Sequence, residues 1–364
     1  MTPATLDLAR LEQPPGQDGP IVSRFEFWPG WLFYAPIVAQ WVALGLRHGD
    51  FSLPTAANPH IETGGLCGES KTAILDQMVG PARALIAPYI RIAATVEPAV
   101  AEAAIREAGL AYPLILKPDI GCNGAGVRKI ADAAALAATL KLYPPEVELV
   151  LQHFVAWEGE TGIFYIRHPG ETRGRITSIT LKFPPVVTGD GRATLRELVL
   201  RDPRAGRLPH IYLPRLAGRL DSVPEDGERV TLVMVGNHCR GSVFRDGTGL
   251  LTPALAERIE TLAAAMPDFH FGRFDLRYRS LPALRRGEDF AVIEINGTGS
   301  EATHIWDART SLGKAWRDQL MHYGEVWKIG RANRARGFRT SGLWPMFRAW
   351  RRQKTLMAAY PRSD

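Results

Sequence analysis

Cysteine is scarce in this chain. Its 364 residues include three, Cys67, Cys122 and Cys239, an odd number with no C-x-x-C pair. That excludes a disulfide framework and a cysteine-based zinc site, and it favours a reducing cytoplasm. Long apolar runs are missing too. The longest, Trp31 to Leu46, is interrupted by Pro36 and Gln40 and falls short of the roughly 18 residues expected of a spanning helix. It reads as a buried helix, with an interfacial segment as the alternative because Phe25, Phe27, Trp28, Trp31, Phe33, Tyr34 and Trp41 crowd this region. No basic start leads into an apolar stretch, so no secretory signal is expected. No repeat of about 20–50 residues is present, which excludes solenoids and propellers. Hydrophobic residues make up 46% and charged residues 23%, an ordinary globular balance that excludes collagen and disordered chains. At about 100–200 residues per domain, two or three domains are expected.

Acidic residues are nearly absent from one stretch. Residues 331–364 hold nine Lys or Arg against Asp364 alone, which leaves 35 bases and 37 acids for the rest of the chain. The pI of about 9.3 is therefore a property of the tail. Phe347, Trp350 and Met357 are expected to share a helix face there, with Arg348, Arg351, Arg352 and Lys354 elsewhere. Such a helix suits an anionic membrane surface. A solvated tail is the plainer reading, and nucleic acid is not expected as a partner.

Residues 1–20 read as a loose leader and 50–70 as loop. A helix is expected from Ser70, a plausible N-cap. Strands are expected at 114–118, 148–155, 161–167, 176–183, 230–235, 271–278 and 290–295, and helices at 132–142 and 252–266. This mixture without strict alternation favours an α+β fold with mainly antiparallel sheets.

Two stretches carry chemistry. In the first, Lys117 ends a short strand and a loop with Gly121, Gly124 and Gly126 follows. Glycines let backbone N–H groups turn toward an anion, and the lysine adds a point charge. The lysine precedes the glycines, so this is not a P-loop, and the glycine spacing is not a dinucleotide fingerprint. A plain turn is the alternative. In the second, Gly272-Arg-Phe-Asp275 lies on one strand and Ile293-Glu294-Ile-Asn296 on another. Residues two apart on a strand share a face, so Glu294 and Asn296 point together, as do Arg273 and Asp275. Asp275 beside them completes an oxygen-only set suited to Mg²⁺, with Arg273 placed to stabilise phosphate charge. A salt bridge between Glu294 and Arg273 is the competing structural reading.

These residues resemble the ATP-grasp superfamily of carboxylate–amine ligases, of the D-alanine–D-alanine ligase and cyanophycin synthetase type, over roughly residues 68–310. The resemblance implies two α+β subdomains clamping the nucleotide: a lid subdomain at 70–151 and a catalytic subdomain at 152–325. An aromatic N-terminal region (1–69) precedes them and a basic tail (326–364) follows. It implies that Asp275, Glu294 and Asn296 hold two Mg²⁺ ions, with Mn²⁺ as a substitute, and that Arg273 stabilises the transferred phosphoryl group. ATP would meet Lys71, Lys117, the lid loop Gly121, Gly124 and Gly126, the hinge Gln152, His153, Phe154 and Val155, then Glu160, with Glu158 as the alternative, on the ribose and Lys182 on the γ-phosphate. The family usually has an acid at position 152. The segment Gly189-Asp190-Gly191 through Thr194 and Glu197-Leu198 adds to the likeness.

Arg240, Gly299 and Ser300 are candidates for substrate, and His238 reads as a loop histidine. Ser300 or Thr303 reads equally as a helix cap. Gly64-Gly65-Leu-Cys67-Gly68-Glu69 is the candidate for the family's N-terminal glycine loop. The implied activity is an ATP- and Mg²⁺-dependent ligase forming an amide through an acyl phosphate, from small-molecule carboxylate and amine substrates. The rivals are a kinase on the same fold and a non-catalytic, membrane-peripheral nucleotide-binding adaptor. A cytoplasmic protein, at the inner face of the membrane in the last case, is expected, and a homodimer is left open.

Overall fold

A computed structural model describes residues 7–12, 22–233, 236 and 241–363. Along the chain, helices α1 (Leu8–Glu12), α2 (Gly30–Phe33) and α3 (Ala35–His48) come first. Helix α4 (Lys71–Leu75) follows, and Ser70 Oγ caps it by accepting from Ala73 N at 3.0 Å. The next unit runs β1 (Tyr89–Ala93), α5 (Pro98–Glu107), β2 (Leu114–Pro118), β3 (Arg128–Ile130), α6 (Ala133–Leu140) and β4 (Glu148–His153). Its four strands form an antiparallel sheet in the order β1-β4-β2-β3. Leu114, Leu116, Leu149 and Leu151 alternate onto one face and pack with Ile105 of α5 and Leu136 of α6. The opposite face is left to Ile115, Lys117 and Gln152.

A second unit begins with β5 (Gly159–Ile166), β6 (Arg175–Phe183) and β7 (Val186–Thr188). It continues through α7 (Leu195–Arg201), α8 (Pro209–Tyr212), β8 (Arg229–Thr231), β9 (Val243–Asp246) and α9 (Pro253–Ala264). Then come β10 (Phe271–Tyr278), α10 (Leu281–Arg285) and β11 (Phe290–Asn296). Its main sheet is antiparallel, β11-β10-β5-β6-β9, and Phe274, Leu276, Ile163 and Leu181 bury one face against Leu255, Ile259 and Leu262 of α9. The side segment between β7 and β8 opens with a capping box, Thr194 with Glu197. The expectation of an α+β fold built on antiparallel sheets is met.

Helices α11 (Leu312–Ala335) and α12 (Leu343–Ala359) close the described chain. The 325/326 boundary falls inside α11. The run from Trp31 to Leu46 departs from the buried-helix reading. It breaks at Tyr34, and α3 buries only Ile37 and Gly45. One side rests on α11, where Trp41 packs at 5.5 Å from Trp327 and 5.9 Å from Tyr323. The other side faces solvent. Met357 also departs from expectation. It turns inward against Cys122, with 3.7 Å between the sulfurs, while Phe347 and Trp350 face outward. Among the described residues no helix is long and apolar enough to cross a membrane.

Candidate active site

The segment before β1 and a lysine of β2 tie the first sheet to the second at β11. Ala87 N donates to Val292 O at 2.9 Å, and Lys117 Nζ reaches from β2 to Ile293 O on β11 at 2.9 Å. Between their polar faces lies a cavity of about 850 Å³. Pairing puts Asp275 opposite Glu294 and Arg273 opposite Asn296. On the other side of β10, Asp275 faces Gly162 and Arg277 faces Glu160, which in turn faces Lys182 on β6. Side chains directly opposite in an antiparallel pair share a face, so one sheet surface gathers Glu294, Asp275, Arg273, Arg277, Glu160 and Lys182. Gly162 permits the crowding, because a Cβ there would stand 2.9 Å from Arg273 Cδ and 3.0 Å from Asp275 Oδ1.

The charges are knitted together. Arg273 grips Asp275 through Nε at 2.8 Å and Nη2 at 2.9 Å, and its Nη1 donates to Glu301 O at 2.8 Å. Lys182 lies 3.0 Å from Asp275 and 3.2 Å from Glu160. Burial alone would raise the Asp275 carboxyl, but Arg273 and Lys182 outweigh it and hold it well below the usual carboxylate range. Glu294 is also held low, since Lys71 and Lys117 outweigh its burial. Its ion pair is with Lys71 at 3.3 Å. The expected alternative of a bridge to Arg273 is not what forms, because the Arg273 fork is committed to Asp275. Burial pulls the Lys117 ammonium down to about 8; Glu294 opposes the fall and Lys71 adds to it.

Most of the expected residues line this one cavity: Lys71, Lys117, Gly121, Gly124, Gln152, His153, Phe154, Val155, Glu160, Lys182, Arg273, Asp275, Glu294, Asn296, Gly299 and Ser300. Gly126 does not. A Cβ there would meet Pro118 at 2.9 Å and Tyr360 at 3.2 Å, and its carbonyl accepts from Tyr143 Oη. Arg240, with His238, lies outside the described residues. Gln152, where the family usually has an acid, has protein partners on both sides of its amide. Its Oε1 accepts from Lys117 at 2.8 Å and its Nε2 donates to Ala87 O at 3.1 Å. Neither Ser300 nor Thr303 caps a helix; Ser300 Oγ donates to Gly297 O.

The N-terminal region supplies a further wall. Gly64 and Gly65 lie backbone to backbone on the turn after β11. Thr298 N donates to Gly64 O at 3.0 Å and Gly299 N to Gly65 O at 2.7 Å. A Cβ on Gly65 would stand 2.7 Å from Gly297 Cα, so this approach requires glycine on both sides. Leu66, Cys67 and Glu69 therefore reach the cavity, along with Trp28, Phe33 and Tyr34. Sequence reasoning missed Glu301, which accepts from Tyr34 Oη at 2.9 Å and Trp306 Nε1 at 2.6 Å. Distant partners give no local signal for it. It also missed Arg277, which binds Glu160 at 3.0 Å and which the same alternation that found Arg273 and Asp275 could have found.

Among the described residues no group of three or more His, Cys, Asp or Glu forms a metal cage. The donors are two carboxylates and an amide. Asn296 gives its Nδ2 to Asp275 Oδ2 at 3.1 Å, which leaves its carbonyl oxygen. This oxygen-only set, with Asp275 buried and Glu294 and Asn296 open to the cavity, fits Mg²⁺, which takes one or two carboxylates and completes its shell with water and phosphate.

No protein-family model and no curated protein matches the sequence. Solved structures similar to the chain include a bifunctional glutathione synthetase from Pasteurella multocida (18% identity, TM-score 0.37, 70% of this chain and 36% of that one). Others are the VanG D-Ala:D-Ser ligase from Enterococcus faecalis (14%, TM-score 0.41, 72% and 64%) and the D-alanine–D-alanine ligase from Bacillus anthracis (13%, TM-score 0.43, 76% and 71%). The chain thus spans about a third of the length of the first.

Proposed function

We propose that the chain is an ATP-grasp ligase that uses ATP and Mg²⁺ to join a carboxylate to an amine. The observation that carries this reading is the convergence of Lys71, Lys117 and Lys182 with Arg273, Asp275, Glu294 and Asn296 in one cavity. Three ammonium groups, a guanidinium and a hard-oxygen set suit a polyphosphate. Cys67 is a poor thiolate, since burial pushes its thiol up to about 11.

In this reading Lys71 and Lys117 take up charge on the α- and β-phosphates, and Lys182 and Arg273 take it up on the γ-phosphoryl group. Asp275, Glu294 and Asn296 would hold Mg²⁺, which neutralises polyphosphate charge when bound. The substrate carboxylate attacks the γ-phosphorus and ADP leaves, giving an acyl phosphate. The amine nitrogen then attacks the acyl carbon, phosphate departs, and the nitrogen sheds its proton. Arg273 keeps its fork fixed by Asp275 and Glu301 O, so it meets the transferring group without reorganising. The loop from Gly121 to Gly124 covers the cavity and excludes water.

The test is ADP formation across a panel of amino acids and small carboxylates, with each amine added or withheld. Amine-dependent ADP together with free phosphate is expected. Phosphate retained on the substrate would instead identify a kinase, and absence of ATP turnover across the panel would favour the adaptor. Glu294→Gln should abolish turnover while the protein stays folded; full ADP release by that variant would sink the metal assignment.

A further inference from the structure

Three helices, α2, α3 and α12, carry unpartnered apolar faces, and α2 and α12 also wall the cavity just described. On α2 and α3 the exposed residues are Trp31, Leu32, Ala35, Val38, Ala39, Val42, Ala43 and Leu46, ending at Arg47. Trp31 is 77% exposed, Val38 58% and Leu46 70%. No acid lies between Glu26 and Asp50. On α12 Leu343, Trp344, Phe347 and Trp350 face outward. Trp344 stacks on Phe347 at 5.8 Å, Phe347 lies 5.8 Å from Trp350, and Lys354 sits over the Trp350 ring. Arg348, Arg351, Arg352 and Lys354 are exposed around this ladder, and α12 contains no acid. Among the described residues none of these four forms an ion pair.

We infer that α2, α3 and α12 together form a docking face for an anionic lipid bilayer. Soluble monomers rarely expose contiguous apolar patches beyond a few hundred Å². A helix with Trp, Phe and Leu on one face and Lys and Arg beside them is built to lie in the interface, where tryptophan rings sit at headgroup depth. Charge decides between a bilayer and a second copy. Two copies meeting by α12 would bring like charges together, whereas an anionic surface complements them. Both faces adjoin the cavity, since Trp28 just before α2, Gly30 at its start, and Trp350 and Lys354 of α12 all line it. Docking therefore sets the cavity rim at the headgroup layer. The inner face of α12 is fixed for this by Gln353 Oε1, which accepts from Gly68 N at 3.1 Å, and by Tyr360 Oη, which donates to Ile120 O at 2.7 Å.

The full chain is sedimented with vesicles of phosphatidylcholine alone or mixed with phosphatidylglycerol, at low and high salt, while tryptophan emission is followed. Binding to the mixed vesicles with a blue shift, weakened by salt, is expected. The pair Trp31→Ser with Val38→Ser, and the pair Trp344→Ser with Phe347→Ser, should each weaken it at least tenfold. Each neutralised arginine, Arg348→Gln or Arg351→Gln, should cost about fivefold. Because these side chains are exposed and lie outside the proposed nucleotide site, melting temperature and vesicle-free ATP turnover should not change. Vesicle binding that ignores all of these substitutions overturns the inference. So does a lack of binding, or concentration-dependent dimerisation that Trp31→Ser with Val38→Ser abolishes. Any of these outcomes leaves the ligase reading standing, since its assay needs no membrane.

Discussion

The pairing of Lys117 with Gln152 makes a pH-dependent prediction. Lys117 is buried, its hydrogen bonds go to the neutral acceptors Gln152 Oε1 at 2.8 Å and Ile293 O at 2.9 Å, and the charge of Glu294 offsets its burial only in part. Burial therefore lowers it to about 8. Below that value Lys117 is protonated and adds its charge to the polyphosphate site; above it the charge is lost. Nucleotide affinity should weaken as pH rises through about 8, because the pH dependence of affinity reports the free protein's ionisation. Gln152→Glu places a carboxylate where Oε1 now accepts. An opposite charge at this range raises a lysine by about 1–3 units, worth about 1.4 kcal/mol each.

The assay is the ATP dissociation constant measured from neutral to alkaline pH in both proteins. The alkaline loss of affinity should move upward by about 1–3 units in Gln152→Glu. One unit above the wild-type midpoint, where only about a tenth of wild-type Lys117 keeps its proton, the variant should bind up to about tenfold tighter, by the fraction competent. At neutral pH the order reverses, because the new carboxylate offsets part of the lysine charge, so the two curves cross. A wild-type curve flat through this range refutes the reasoning, as does a variant whose alkaline limb stays in place.

Three further outcomes follow from the geometry. Arg273→Lys should lose ATP turnover as completely as Arg273→Ala, because an ammonium cannot reproduce the two-point grip on Asp275 together with the bond to Glu301 O; steady-state ADP release checks this, and near-normal turnover would remove Arg273 from the chemistry. Gly162→Ala should depress kcat more than stability, since its methyl would press on Arg273 and Asp275; paired kinetic and melting measurements separate the two. Glu26→Ala should destabilise the fold by about 3–5 kcal/mol by stranding Arg204, which is 4% exposed and donates through Nη1 to Glu26 Oε2 at 3.0 Å; a loss under about 1 kcal/mol in denaturant titration would refute a buried-pair role.

The charged face of the second sheet was legible because strand alternation is a strict rule. Once β10 and β11 are recognised, Arg273 with Asp275 and Glu294 with Asn296 must share faces whatever the rest of the chain does. What alternation does not contain is register. Whether Glu294 meets Arg273 or Lys71 depends on where α4 is carried, and α4 is carried by Asp119, whose carboxylate accepts from Thr72 N and Thr72 Oγ1 across 47 residues. The Lys117 to Gln152 bond was hidden for a related reason, because alternation does not say which residues of neighbouring strands stand opposite.

Helix α11 was invisible for a different physical reason. Its buried side mixes Gln319, His322, Glu325 and Asn333 with Ala315, Val326, Trp327 and Ile329, so polar groups interrupt the hydrophobic period of its inward stripe. Those groups fix long-range partners instead: Asn333 Nδ2 donates to Ala56 O and Ala57 O, and Glu325 takes His168 and Arg175. The misreading of Trp31 to Leu46 is the complement of this. There the apolar content was plain, but composition does not say how many sides of a helix find a partner. Helix α3 spends one side on the aromatic face of α11, where Gln40 and Trp41 anchor it. The apolar side that remains finds no partner among the described residues, so packing and the proposed chemistry leave it to the bilayer docking inferred above.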